Sequence, residues 1–161
     1  GVQFHPGIAA HSAERRAVTD TSPIASLVPH AGRMCLLERL LDWDDATVTL
    51  ATATHRDPVN PLFEDGRLRA IHLCEYGAQA MAVHGGLLAR ARGEPARPGL
   101  LVSLRDVVLA CDHVHDLAGE LIVVARRVHG SPSAWQYDFC VTHGLRELAQ
   151  GRATVSLASG T

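Results

Sequence analysis

Aromatic side chains are scarce in this chain. Phe, Trp and Tyr together make up 4% of its 161 residues, too few for the stacking platforms on which single-stranded nucleic acids lie. A surplus of basic charge is missing too: 15 Lys and Arg stand against 17 Asp and Glu, for a formal net charge of -2, so no field attracts a phosphate backbone. Nucleic-acid binding is therefore not expected. The four cysteines, Cys35, Cys74, Cys111 and Cys140, include no C-x-x-C pair. Each lies in or beside an apolar run, so they read as small buried hydrophobes and not as a disulfide framework or a metal knuckle. Ten histidines are present, but no two have the H-x-x-x-H spacing of helical ligands, and His113 and His115 fall in a loop; no metal is expected. No stretch approaches the roughly 18 to 20 uncharged apolar residues of a membrane span, and the opening lacks the basic-then-apolar order of a signal peptide. The expectation is a cytoplasmic protein without a membrane span.

What is present is a globular balance of 47% hydrophobic and 20% charged residues, with a core that must be built from Leu, Val, Ile and Ala. The length suits one domain. Gly1 to Thr21 has no sustained period and is expected to be a flexible arm, leaving 22-161 as a single domain. Its organising stretch is Ala70 to Arg90, AIHLCEYGAQAMAVHGGLLAR, apolar or small almost all the way round, as in a helix enclosed by the rest of a domain. His72, Glu75 and Gln79, three and then four residues apart, share one stripe of that helix, with Tyr76 beside it. Gly77, Ala78, Ala80, Ala82, Gly85 and Gly86 let other backbones come close, as a sheet wrapped round a helix requires. A carboxylate on so apolar a helix is costly to bury ionised, and desolvation suits it to general acid or base work. Glu75 also fits a plain internal polar group or an interface residue.

Along the rest of the chain, Ser22-Pro23 starts a short helical turn over Ile24 to Val28. Arg33 to Trp43 fits either a helix or a strand by period. It is read as a strand because Thr47 to Thr54, TVTLATAT, alternates and is β-branched, which makes a hairpin across Asp44-Asp45. His55 to Arg69 is a loop leading into the helix, and Gly93 to Gly99 a second one. Leu100 to Cys111, Glu120 to Val128, Ala134 to Thr142 and Glu147 to Ser156 are strand-like, and their order predicts an antiparallel meander. Two strands, a long helix and four strands, with no crossover helices, exclude doubly wound folds. The fold class expected is α+β, one long central helix wrapped by a curved antiparallel sheet, the hotdog fold. Such a sheet leaves edges that pairing would cover, so at least a dimer is expected.

The motifs resemble a family. LVPHAGRMCLLERLLDWDD at Leu27 to Asp45 looks like the PHR-x-P-x-LL-x-DR opening of β-hydroxyacyl-acyl carrier protein dehydratases, and CEYGAQAM at Cys74 to Met81 looks like their E-x-x-AQ helix motif. The ordered set, with HRDPVNPLFEDGRLRA and LLVSLRDV, is closer still to the bacterial hotdog branch of 3-hydroxyacyl-carrier-protein dehydratases of aryl polyene type biosynthesis. The resemblance implies a homodimer or heterodimer of hotdog subunits with sites at the subunit interface. It also implies loss of water from a 3-hydroxyacyl group on phosphopantetheine, borne by an acyl carrier protein or coenzyme A, with no metal or organic cofactor.

Residue by residue, the resemblance places Glu75 at the acidic position of the motif and Gln79 in its companion place. The histidine of the family's HFPG segment matches Asn60 of Asn60-Pro61-Leu62-Phe63, so the familiar base is missing. Dehydration needs a base for the C2 proton and an acid for the departing hydroxyl, and an amide accepts no proton. His55, where the second strand meets the loop, is the first replacement; His72, one helical turn before Glu75, and His30, in the loop before the first strand, follow. The helix start near Ala70 to His72 offers backbone N–H groups to a thioester oxyanion. Two other functions stay open: an acyl thioesterase, which uses the same helix carboxylate on water, and a non-catalytic partner of an active dehydratase.

Overall fold

A computed structural model describes residues 24–27 and 34–159. The expected N-terminal arm and His30 lie outside the described residues. Ile24–Ser26 form a single 3-10 turn. Strands β1 (Arg39–Trp43) and β2 (Thr47–Thr52) follow, then helix α1 (Leu73–Ala91). Strands β3 (Gly99–Leu109), β4 (Leu121–Gly130), β5 (Ala134–His143) and β6 (Arg146–Leu157) complete the fold. The six strands form one antiparallel sheet in the order β1-β2-β4-β5-β6-β3, and α1 packs against β2, β4, β5 and β6. This is the hotdog arrangement expected from the element order. No helix among the described residues is long and apolar enough to cross a membrane.

The β1–β2 hairpin closes where expected because Asp44 Oδ1 accepts the amides of Ala46 and Thr47, both at 2.8 Å, the turn an Asp side chain makes with its own backbone. β1 begins at Arg39, six residues later than the periodicity of Arg33 to Trp43 suggests. Leu36 and Leu37 are buried, but the Leu36 backbone bonds to side chains of α1 and of the β2 end and joins no sheet ladder.

The four-strand meander is corrected at its first step. β4, β5 and β6 do run as a meander through links of three and two residues (131–133 and 144–145), but β3 pairs with β6 and lies at the sheet's edge. The link 110–120 does not turn back as a hairpin. It is tied to the entry of α1 by the Ala70 amide on the Asp112 carbonyl and the Val114 amide on the Leu68 carbonyl, each 2.9 Å, with Val114 fully buried.

The core is the interior of the curl: Leu73, Tyr76, Ala80, Val83 and Leu87 of α1 meet Val48, Leu50, Val123, Phe139 and Val141 from the sheet. Close approach rests on two glycines that flank one ring. A Cβ on Gly77 would stand 2.6 Å from the Phe139 ring, and one on Gly151 the same distance from its other edge.

Candidate active site

The chain enters α1 through a 3-10 turn, Ala70–His72, and Glu75 stands in the first helical turn. From Leu73 to Leu88 the helix is buried except for Cys74 and one line, Glu75, Ala78, Ala82 and Gly85. That line follows a spacing of three, four and three, one face of a helix. Glu75 is thus half-buried in the single chain and not enclosed, because it heads the one stripe that the sheet leaves open.

Gln79 is buried and fixed at both ends of its amide. Its Oε1 accepts the Leu36 amide at 2.9 Å and its Nε2 donates to the Met34 carbonyl at 2.6 Å. The same Nε2 stands 3.4 Å from Glu75 Oε1, so the strap before β1 sets the amide that reaches toward the carboxylate.

Asn60 lies in a second buried network. Its Nδ2 donates to the Thr54 carbonyl at 2.9 Å and to the Tyr76 hydroxyl at 3.0 Å, while its Oδ1 accepts the Leu62 amide at 3.0 Å. The carbonyl of Leu36 can only accept, so the hydroxyl of Thr54 donates to it at 2.7 Å. The Tyr76 hydroxyl therefore donates to Thr54 Oγ1 at 2.9 Å. Protons point one way, from Asn60 through Tyr76 and Thr54 to Leu36, and burial raises the Tyr76 pKa above its ordinary value, keeping the phenol neutral.

His55 occupies the 3-10 turn Thr54–Arg56 and is fully buried. Its Nε2 lies 2.8 Å from the Leu117 carbonyl and must carry the hydrogen, which leaves Nδ1 as an acceptor with no hydrogen-bond partner among the described residues. Burial holds its pKa below the usual imidazole range. His72 is half-buried at the residue before α1. The structure therefore brings Gln79 to Glu75 and Asn60 to Tyr76 and Thr54, and directs the imidazole of His55 to the 110–120 link. Tyr76 and Thr54 are the members whose roles sequence reasoning missed; a phenol on an otherwise apolar helix, needing a partner for its hydroxyl, is the signal that points to them.

One group among the described residues has donors close enough for a metal ion: those of His113, His115 and Asp116 lie within 4.8 Å of one another. His115 Nδ1, however, accepts the Leu68 amide at 3.3 Å. Its proton then sits on Nε2, and neither nitrogen has a free electron pair for an ion while that bond holds.

A search of curated proteins returns no match. Among solved structures, a chain of the dehydratase heterocomplex ApeI:P from Xenorhabdus doucetiae superposes with a TM-score of 0.78 at 22% identity, covering 86% of this chain and 92% of that one. A hypothetical thioesterase from Streptococcus pneumoniae, solved with coenzyme A, gives a TM-score of 0.57 at 14% identity over 75% and 85% of the two chains. The PaaI protein of the E. coli phenylacetic acid degradation operon gives 0.55 at 12% over 76% and 80%. At such identities these likenesses carry the fold. The family model for ApeP dehydratases, ApeP-like, matches residues 22–159, nearly the whole chain, and the protein belongs to that dehydratase family.

Proposed function

We propose that this chain is one subunit of a two-subunit hotdog dehydratase acting on a 3-hydroxyacyl thioester held on phosphopantetheine, and that its partner supplies the imidazole. The observation that carries this reading is Asn60. By the motif resemblance it takes the place of the family's histidine; it accepts no proton, and its amide is consumed by Thr54, Tyr76 and Leu62. A pair made of two identical copies would repeat Asn60 in both sites, whereas a different hotdog subunit would bring a base to one of them. The existence of a dehydratase heterocomplex with this fold agrees with that pairing.

In the reaction a base takes the C2 proton, and the C2–H electron pair becomes the C2–C3 double bond. The C3–O bond breaks as the hydroxyl takes a proton and leaves as water. Glu75, held from behind by Gln79, serves the hydroxyl, and the partner's imidazole takes the C2 proton; the amides of Ala70 and His72, expected to serve the thioester oxyanion, are instead spent on the Asp112 and Arg69 carbonyls at 2.9 and 3.1 Å. The thioester survives intact.

The test is an assay of 3-hydroxyacyl-thioester dehydration by the chain alone and by the chain mixed with a hotdog subunit that carries histidine at the matching position. Turnover is expected from the pair, and Glu75→Gln should lower it by roughly 10²-fold or more with the fold retained. Equal turnover in Glu75→Gln removes Glu75 from the chemistry. Turnover by the chain alone that His72→Ala abolishes moves the base to His72, and release of free thiol without loss of water makes the protein a thioesterase.

A further inference from the structure

At the far end of α1, about 26 Å along the helix axis from Glu75, a cleft of about 370 Å³ is lined by Arg92, Arg97, Arg127, Trp135 and the Gly130–Pro132 turn, with Leu157 at its rim. Three arginines line it together, and no Asp or Glu is among the lining residues. Their hydrogen bonds do not neutralise them. Arg97 gives Nε and Nη2 to the Ala158 carbonyl at 2.8 and 2.6 Å and Nη1 to the Pro132 carbonyl at 3.0 Å. Arg127 gives Nη2 to the Asp45 carbonyl at 3.3 Å and lies over the Trp135 ring, 4.7 Å from its centroid. Every one of these acceptors is a neutral backbone oxygen, so these hydrogen bonds hold two cations in place without pairing them to a carboxylate. Arg92, exposed at the end of α1, adds a third on a longer reach.

A basic residue at a helix C-terminus complements the helix dipole, which accounts for Arg92 alone. It does not account for Arg97 and Arg127, which come from a loop and a strand and are fixed by the turn and the indole to face the same cleft. Like charges gathered in a cleft raise the local concentration of anions, and guanidinium forks match phosphate oxygens in pairs.

We propose that Arg92, Arg97 and Arg127 form a binding site for a phosphate group, separate from the Glu75 centre and independent of the reading of that centre. Two sources share the chemistry, a phosphorylated pantetheine arm and free phosphate.

Calorimetric titration of the full chain with inorganic phosphate, 4′-phosphopantetheine and unphosphorylated pantetheine distinguishes them. Saturable binding of the two phosphates and not of pantetheine is expected, weakened about five-fold or more in Arg92→Gln and in Arg127→Gln, with Glu75→Gln binding as wild type. Preference for 4′-phosphopantetheine over phosphate by about ten-fold or more assigns the site to the carrier arm, and equal affinity assigns it to free phosphate. Absence of saturable binding below about 10 mM, or wild-type affinity in Arg92→Gln, whose exposed side chain the fold does not need, would overturn the proposal.

Discussion

His84 shows most plainly how single residues here are governed by enclosure. Its Nε2 lies 2.9 Å from the Asp44 carbonyl and must donate, so Nδ1 accepts from the Tyr137 hydroxyl at 2.7 Å. Both side chains are buried. Burial outweighs the Asp44 bond and lowers the imidazole pKa from 6.5 to about 4. Because the folded pKa lies below the unfolded one, the unfolded chain binds the extra proton first as pH falls. The stability of the neutral pair is complete above pH 6.5 and drains away down to about pH 4, a loss on the order of 3 kcal/mol. Urea unfolding between pH 7 and 4 should show this fall, and His84→Asn should show a flatter profile than wild type; identical slopes would take His84 out of the pH dependence. Nine residues on from Glu75, His84 falls on another face of α1, but its partners come from β5 and from the β1–β2 turn, positions that only folding makes adjacent.

At the scale of elements, α1 was the most legible part. Its apolar run and its small residues marked a helix inside a sheet, and it runs over Leu73–Ala91 with a 3-10 turn at its start. The small residues prove to have specific reasons: Gly77 and Gly151 hold the Phe139 ring between helix and sheet. Gly77→Ala would drive a methyl into the ring, at a cost of about 1–3 kcal/mol. A lowered melting temperature is expected, with partial recovery in the double variant Gly77→Ala, Phe139→Leu. No recovery would mean that the strain lies in the helix and not in the ring. The pairing of β3 with β6 was not legible, since strand order depends on where the 110–120 link is tied, and Leu68 and Ala70, which tie it, lie some forty residues earlier in the chain.

For the molecule as a whole, the unfinished edge is β3. Leu100, Val102 and Val108 are 69%, 54% and 53% exposed, and among the described residues no strand pairs with the other side of β3. An edge that is long and apolar on this scale pairs with another chain. Light scattering should therefore give a particle larger than one chain, and Val102→Lys or Val108→Lys should shift the population toward single chains by about ten-fold or more in dissociation constant. A single-chain particle at micromolar concentration in the wild type would contradict this.

Composition, apolar period and turn residues by themselves determined the helix, the number of strands and the β1–β2 turn at Asp44, and the motif residues carried the family resemblance around Glu75 and Gln79, because each depends on neighbours within a few residues. Folding alone decided that β3 sits at the edge, that Asn60 spends its amide on Tyr76 and Thr54, that His55 turns to Leu117, and that three arginines meet in one cleft. Those contacts join residues far apart in the chain. No local preference encodes them, and only the burial of one shared core brings them together.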